Sequence, residues 1–185
     1  ASQNITDPTL GPLALDLMAQ GLNAEKVIAL VREQGKFIEY RQVLVVDYEG
    51  RTAIHSGPNS LGIWTQAQAK NVASGGNLLA NDTVPQAIVD GYTSAKGHIG
   101  DRLIVAMRAG LAAGGEAGPL HSAGMQIVDK DSWPIADLRC DWTEDCPIEN
   151  IAMAWKIYKP QMQAYIQRAH DPRQAPSYGV PGEED

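Results

Sequence analysis

The feature that most limits the fold of this chain is a β-hairpin pattern in its first third. Residues 41–47 read Arg-Gln-Val-Leu-Val-Val-Asp, a β-branched and aliphatic run that is typical of a largely buried strand. Residues 48–51 form a polar turn, and residues 52–56 return as a second strand. Strands joined by so short a turn pair antiparallel, which argues against a doubly wound parallel sheet.

The rest of the chain alternates helices and strands in blocks. Residues 1–9 are polar and turn-like, and Gly11-Pro12 is expected to delay the first helix. Asn23 stands where the N-cap of the second helix belongs, and Pro160 should kink or divide the last helix. The predicted helices cover residues 13–20, 24–34, 82–95, 100–113 and 148–168. Further strands are predicted at residues 71–74, 122–129 and 134–141, with an irregular segment around Trp64 at residues 58–70.

This order of elements indicates an α+β sandwich of antiparallel sheets. We expect one domain over residues 1–170 and an irregular, partly disordered tail over residues 171–185. A four-layer sandwich would ordinarily contain more strands than this pattern supplies.

Charge and cysteine content limit the partners. The chain has 22 acidic and 15 basic residues and a formal charge of −7. Nucleic acid and anionic membranes bind basic patches, and the sequence contains none, so neither partner is expected. Cys140 and Cys146 are predicted to be free thiols in a reducing cytoplasm, with a local disulfide as the alternative. No metal site is expected, because the sequence has neither a CxxC motif nor a histidine cluster.

Three positions in the first half of the chain suggest chemistry. Gly75-Gly76-Asn77 is expected to form a sharp turn whose Asn77 amide donates to an oxyanion; the alternative is a plain turn. His55, near a strand end, is a candidate for proton relay or for orienting a substrate. The alternative is that His55 has a structural role. Arg41, at a strand start, can bind a carboxylate bidentately, or it is a surface or salt-bridged arginine.

A second group of candidates lies near residue 140. Asp137, Arg139 and Asp141 alternate along one face of a predicted strand. Such a trio either fixes a substrate amine or forms a structural ion-pair network. Ser122 opens the preceding strand and is a candidate for lining the same cleft, or an ordinary polar residue.

A series of short strings stands out by its order and spacing along the chain. The strings are Ala1-Ser2-Gln3, Gly11-Pro12, Arg41-Gln42, His55-Ser56-Gly57, residues 76–80, Asp101-Arg102-Leu103, residues 109–115, Ser122-Ala123 and residues 137–141. In this order and spacing the sequence resembles a bacterial family of unknown function, domain of unknown function 1028, which is grouped with the Ntn hydrolases. Two positions depart from the family pattern. In the family, basic residues come after the acidic residue that follows the double glycine, whereas in this chain Glu116 is followed by Ala117. His121 stands where the family tends to have glutamine.

The resemblance implies an Ntn-hydrolase-like αββα sandwich of antiparallel sheets. Members of the family begin well before the residue that corresponds to Ala1, with a pair of strands that would complete this sandwich. The chain is therefore expected to lack its first strands, either as a fragment or as the larger product of a cut just before Ala1.

The resemblance also implies a chemistry. Ntn hydrolases attack a carbonyl with the side chain of an N-terminal Ser, Thr or Cys, and the α-amine of that residue acts as general base. Ala1 has no nucleophile, so Ser2 is the candidate once Ala1 is trimmed; the alternative is that Ser2 is an ordinary polar residue. With Ser2, the candidate catalytic residues are Asn77 and His55, and the candidate substrate-binding residues are Arg41, Gly76, Ser122, Asp137, Arg139 and Asp141.

The predicted function is an Ntn-type amidohydrolase that cleaves a small amide or related C–N bond without a cofactor. The alternative is a catalytically silent protein of the same fold that binds a small metabolite or builds an oligomer. The expected partners are a small-molecule substrate, a separately cleaved N-terminal chain of the same precursor, and further copies of the chain in a homo-oligomer. The expected location is the cytoplasm.

Overall fold

The computed structural model describes residues 1–177 and 179. Its contacts divide the chain into two compact units, one of residues 1–119 and one that begins at Leu120. The described part is mixed α+β, with small antiparallel sheets and five α-helices. The tail predicted to be partly disordered includes Tyr178 and residues 180–185, which lie outside the described residues. The predicted domain boundary at residue 170 stays a prediction.

The first sheet contains the predicted hairpin. Strands β2 (Gln42–Val46) and β3 (Thr52–Ser56) pair antiparallel, with Val46 opposite Thr52 and Gln42 opposite Ser56, which confirms the prediction. Strand β1 (Ser2–Gln3) pairs antiparallel with the other edge of β2. The prediction of a turn-like opening was therefore wrong for these two residues, because β2 offers them backbone partners that sequence alone does not reveal.

The second sheet of the first unit was predicted only in part. Strand β4 (Thr65–Ala69) pairs antiparallel with β5 (Val72–Gly76). The prediction of an irregular segment over residues 58–70 was wrong for β4, which reads Thr-Gln-Ala-Gln-Ala. These residues alternate as a strand does but have little of the β-branched and aromatic character that marks one. The left-handed residue of the β4–β5 turn is Asn71, with φ 68°.

Four helices belong to the first unit: α1 (Leu10–Ala19), α2 (Ala24–Gln34), α3 (Val84–Ser94) and α4 (Ile99–Ala112). The Asn23 cap is confirmed, because its Oδ1 accepts the Lys26 backbone N–H at 3.0 Å. The expected delay by Gly11-Pro12 was wrong, since α1 begins at Leu10. Pro12 sits in the first turn, where a helix has no partner for backbone N–H groups and proline is tolerated.

The elements of the first unit are layered. Helices α1 and α2 form an apolar core with one face of β2 and β3, and helices α3 and α4 form another with β4 and β5. Strand β5 lies against β2, so the two sheets face each other between the helix pairs. The buried members of the first core are Leu10, Ala14, Leu17, Ala24, Val27, Ile28, Val31, Val43, Val45 and Ala53; those of the second are Ala67, Val72, Val89, Tyr92 and Ala106.

The second unit is a hairpin packed on one long helix. Strands β6 (Ala123–Ile127) and β7 (Ala136–Cys140) pair antiparallel, as predicted, and contact helix α5 (Pro147–His170). Pro160 does not divide α5, whose buried Ile151, Trp155 and Met162 lie on both sides of it. A turn of 3₁₀ helix, Pro172–Gln174, follows. No helix in the described part of the chain is long and apolar enough to span a membrane.

Asp47 joins the hairpin turn to the start of α2. Its side chain is 1% exposed, and its Oδ2 accepts the Ala24 backbone N–H at 3.1 Å and Arg51 Nε at 2.7 Å. Its Oδ1 accepts the backbone N–H groups of Glu49 and Arg51, each at 3.0 Å. Burial favours the neutral acid, but these hydrogen bonds outweigh it and lower the pKa of Asp47 from 3.8 to about 2.

The depressed pKa of Asp47 gives a pH-dependent contribution to stability. The charged carboxylate stabilises the folded chain fully above the ordinary pKa of 3.8, and this contribution is lost as the pH falls from there through about 2. We expect the free energy of unfolding, measured with urea at a series of pH values, to fall across this window. Asp47→Asn should flatten that part of the profile and lower stability at pH 7, because an amide forms weaker hydrogen bonds than a carboxylate.

The matched control is Asp90→Asn, at an exposed position of α3 whose carboxylate accepts a bond from Gln86. This variant should keep the acid slope of the parent protein. An unchanged slope in Asp47→Asn would show that Asp47 does not carry the effect.

Candidate functional site

A closed polar cluster lies between the two sheets of the first unit. Gln42 is 0% exposed, and its Nε2 donates to Ser56 Oγ at 3.0 Å and to the Gly76 carbonyl at 3.2 Å. Its Oε1 accepts from Gln3 Nε2 at 2.8 Å, and the same nitrogen donates to the Gly75 carbonyl at 3.2 Å. Both amide groups thus link β1, β2 and β3 to β5.

The alternation of β2 explains why this cluster forms. Successive side chains of a strand point to opposite faces, so Val43 and Val45 face α1 and α2 while Gln42 and Leu44 face β5. A fully buried glutamine within this run is compatible with folding because all of its side-chain polar groups find partners in the protein. Sequence reasoning did not single out Gln3 or Gln42; the signal for Gln42 is a polar residue inside a β-branched strand.

Gly75 allows the sheets to approach, and Gly76 makes room for Leu79. A Cβ at Gly75 would lie 3.2 Å from Leu44 Cδ2, and a Cβ at Gly76 would lie 2.7 Å from Leu79 Cδ2. The predicted sharp turn at residues 75–77 was wrong for both glycines, which belong to β5; the left-handed residue that follows is Leu78, with φ 53°. Gly76 therefore supplies space and a carbonyl acceptor, and Asn77 follows the strand end, half-buried.

Three of the predicted residues lie on the other face of the first sheet. Ser2 is opposite Val43, and Val43 is opposite His55, so these side chains form a row on the face that packs on the helices. Arg41 precedes β2 and, by the alternation of the strand, belongs to the same face. The structure thus groups Ser2, Arg41 and His55 and separates them from Gly76, whose carbonyl lies at the opposite face.

His55 and Ser2 each have a backbone partner. His55 Nε2 lies 2.8 Å from the Ile38 carbonyl, which can only accept, so this nitrogen carries the proton. The Ser2 hydroxyl donates to the Asp7 carbonyl at 3.4 Å. His55 also lines an open cavity of about 480 Å³ between α2 and the segment around Ile38. Val43 lies between Ser2 and His55, so the two do not form a nucleophile–base pair.

The second unit brings together the other four predicted residues. Ser122, Asp137, Arg139 and Asp141 line an open cleft of about 460 Å³ along the β6–β7 hairpin. Arg139 Nη2 lies 2.7 Å from Asp141 Oδ1, and Gln126 Nε2 donates to Asp137 Oδ2 at 3.2 Å. The Arg139–Asp141 pair is 70% and 77% exposed, and ion pairs this accessible add little stability.

The two cysteines do not form a disulfide. Cys140 and Cys146 are free thiols and both are half-buried. Within the described residues, no group of three His, Cys, Asp or Glu side chains is arranged to hold a metal ion.

The fold and these sites define a mixed α+β protein with small antiparallel sheets and a polar cluster between two of them. Residues 1–151 match the family of unknown function DUF1028, and the chain belongs to that family. This confirms the family part of the resemblance, which rested on the ordered strings in the sequence.

A solved structure supports the same assignment. The crystal structure of protein SPO2555 from Silicibacter pomeroyi, which carries the DUF1028 family assignment, is similar to this chain with a TM-score of 0.78 and 25% sequence identity. The similarity covers 86% of this chain and 71% of that one. No curated protein matches the chain.

The polar cluster makes a testable contribution to stability. Gln42→Leu keeps the size of the side chain but leaves Ser56, Gln3 and the Gly76 carbonyl without a buried partner. Because each unsatisfied buried group costs about 1–3 kcal/mol, we expect the free energy of unfolding to fall by about 2–4 kcal/mol in urea titrations.

Gln66→Leu is the matched control, since Gln66 is exposed on β4. It should change the free energy of unfolding by less than about 0.5 kcal/mol. Equal effects of the two substitutions would argue that the buried amide does not hold the sheets together.

Proposed function

We propose that this protein is an amidohydrolase of the N-terminal-nucleophile type, which cleaves a small amide or related C–N bond without a cofactor. The observation that carries the proposal is the layer order of the first unit: helices α1 and α2, the first sheet, the second sheet, then helices α3 and α4. This order is what the resemblance to the Ntn hydrolases implies, and assignment of the unit to an Ntn-hydrolase-like αββα sandwich is part of the proposal.

Ser2 is the proposed nucleophile. Ala1 and Leu44 exchange both backbone hydrogen bonds, at 2.7 Å and 2.8 Å, so the neighbouring Ser2–Val43 pair is the non-hydrogen-bonded kind. The Ser2 nitrogen therefore points away from β2. If the bond before Ser2 is cut, the freed α-amine is not consumed by the sheet and can act as a base.

The proposed reaction has two steps. The Ser2 oxygen forms a bond to the substrate carbonyl carbon while the α-amine takes the hydroxyl proton and delivers it to the leaving nitrogen, so that the C–N bond breaks. Water then attacks the resulting ester and releases the acid. An α-amine of ordinary pKa, about 8, is already about half neutral near that pH, which suits the role of general base.

A second candidate function is favoured by the separation of the predicted residues. Ser2 and His55 lie on the helix-facing side of the first sheet, whereas Gly76, the neighbour of Asn77, bonds to its other side. A protein with this arrangement and no cleavage before Ser2 would bind a small metabolite without turning it over. Roles for Asn77 as oxyanion donor and for a homo-oligomer stay predictions.

Substitution of Ser2 tests the hydrolase. Protein expressed from the full-length gene should yield a chain that begins at Ser2 in intact-mass and N-terminal sequencing measurements. That protein should form a covalent adduct with an acylating β-lactone. In Ser2→Ala the adduct should vanish and amide hydrolysis should fall by about 10³-fold or more, because the attacking atom is gone.

Ser94→Ala, at an exposed position of α3, should leave both adduct and hydrolysis unchanged. Ser2→Cys should retain adduct formation, since a thiol can replace the hydroxyl. An uncut chain whose Ser2→Ala variant still forms the adduct would contradict the assignment of Ser2. An uncut chain that binds amides without hydrolysing them would support the second candidate.

A further inference from the structure

The guanidinium of Arg41 contains a buried nitrogen without a partner. Its Nε has no hydrogen-bond partner among the described residues, although the side chain is half-buried. An unpaired buried donor on a charged group costs free energy, so native proteins satisfy such groups with protein, water or ligand. The Arg41 backbone is fixed, because its N–H donates to the Ile38 carbonyl at 3.0 Å and its carbonyl accepts from Gly57 at 2.8 Å.

Arg41 has a charged neighbour, the carboxylate of Asp7. Asp7 is near enough that the positive charges of Arg41 and Lys36 help to lower its pKa, after the larger effect of hydrogen bonds from Thr9. Both Thr9 bonds go to Asp7 Oδ1, at 2.6 Å and 2.9 Å. A carboxylate this near to Arg41 competes with a bound anion for the guanidinium.

Ser2 adjoins this group. Its hydroxyl donates to the Asp7 carbonyl, and it shares the helix-facing side of the sheet with Arg41. A ligand that pairs with Arg41 would therefore lie beside the proposed nucleophile. The same face also presents His55, whose Nε2 is already bonded to the Ile38 carbonyl.

We infer that Arg41 binds the carboxylate of a small organic acid on this face. The planar guanidinium fork matches two carboxylate oxygens, and the negative charge of the nearby Asp7 disfavours doubly charged phosphate relative to a monoanion. The substrate of the proposed amidohydrolase is then an amide that carries a carboxylate. This identification of the substrate rests on the proposed function, whereas carboxylate binding itself does not.

Nitrogen-15 NMR of the arginine Nε–H groups tests the inference directly. The Arg41 signal is identified by its loss in Arg41→Lys. Titration of the ¹⁵N-labelled full chain with acetate, and separately with inorganic phosphate at constant ionic strength, should shift this signal saturably. Acetate should bind more tightly than phosphate.

Variants measured through the Gly57 backbone amide extend the test. Arg41→Gln should weaken acetate binding at least about tenfold, because a charge-assisted pair is lost. Arg41→Lys should weaken it less, since it keeps the charge but not the fork. Asp7→Asn should strengthen binding by removing a competing negative charge, and Arg32→Lys, exposed on α2, should have no effect.

The inference is overturned if the Arg41 signal does not move, if Arg41→Gln binds acetate as the parent does, or if phosphate binds more tightly. Urea unfolding of Arg41→Lys confirms that the compared chains are folded. If acetate binds but no hydrolysis depends on Ser2, the proposed function is wrong and the carboxylate site at Arg41 is retained. If hydrolysis depends on Ser2 but acetate does not bind, the carboxylate site is wrong and the proposed function is retained.

Discussion

The buried amide of Gln42 is the interaction on which the first unit depends. Two sheets can pack face to face through apolar side chains alone, but here they approach closely at Gly75, and the carbonyls of Gly75 and Gly76 lie within reach of side chains from the first sheet. Those carbonyls need donors, and the amides of Gln42 and Gln3 supply them. Gly75 makes the close approach feasible, and the glutamines stabilise it.

The first sheet also divides the chemistry of the unit. One face packs against the second sheet, and the polar side chains on it have hydrogen-bond partners, which indicates a structural role. The other face contains Ser2, Arg41 and His55, where the Ser2 hydroxyl has a long hydrogen bond and Arg41 Nε has no partner among the described residues. A polar group without a partner can take one from a ligand, so the helix-facing side is the better place for ligand binding. The second unit has its own polar cleft, lined by Asp137 and Arg139.

Much of this fold follows from the sequence, but not all. The hairpin of β2 and β3 and the Asn23 cap depend on local patterns, and both were predicted correctly. The pairing of β1 depends on a strand distant in the chain, which local periodicity cannot reveal. Strand β4 pairs with the strand that follows it, but it has few of the β-branched and aromatic residues that mark a strand. The face on which each candidate residue lies follows from strand register, which is why Ser2, His55 and Asn77 looked like a single site before their positions were known. The family assignment came from the order of many short strings rather than from any one motif.

Asp47 has a consequence for how the unit opens. Because one carboxylate holds both the hairpin turn and the first amide of α2, neither element can loosen without breaking bonds to the other. Hydrogen exchange at Ala24 and at Arg51 should then report a single cooperative opening with one free energy, rather than separate fraying of a helix end and a turn. Helix and hairpin, 23 residues apart along the chain at this contact, form one foldon.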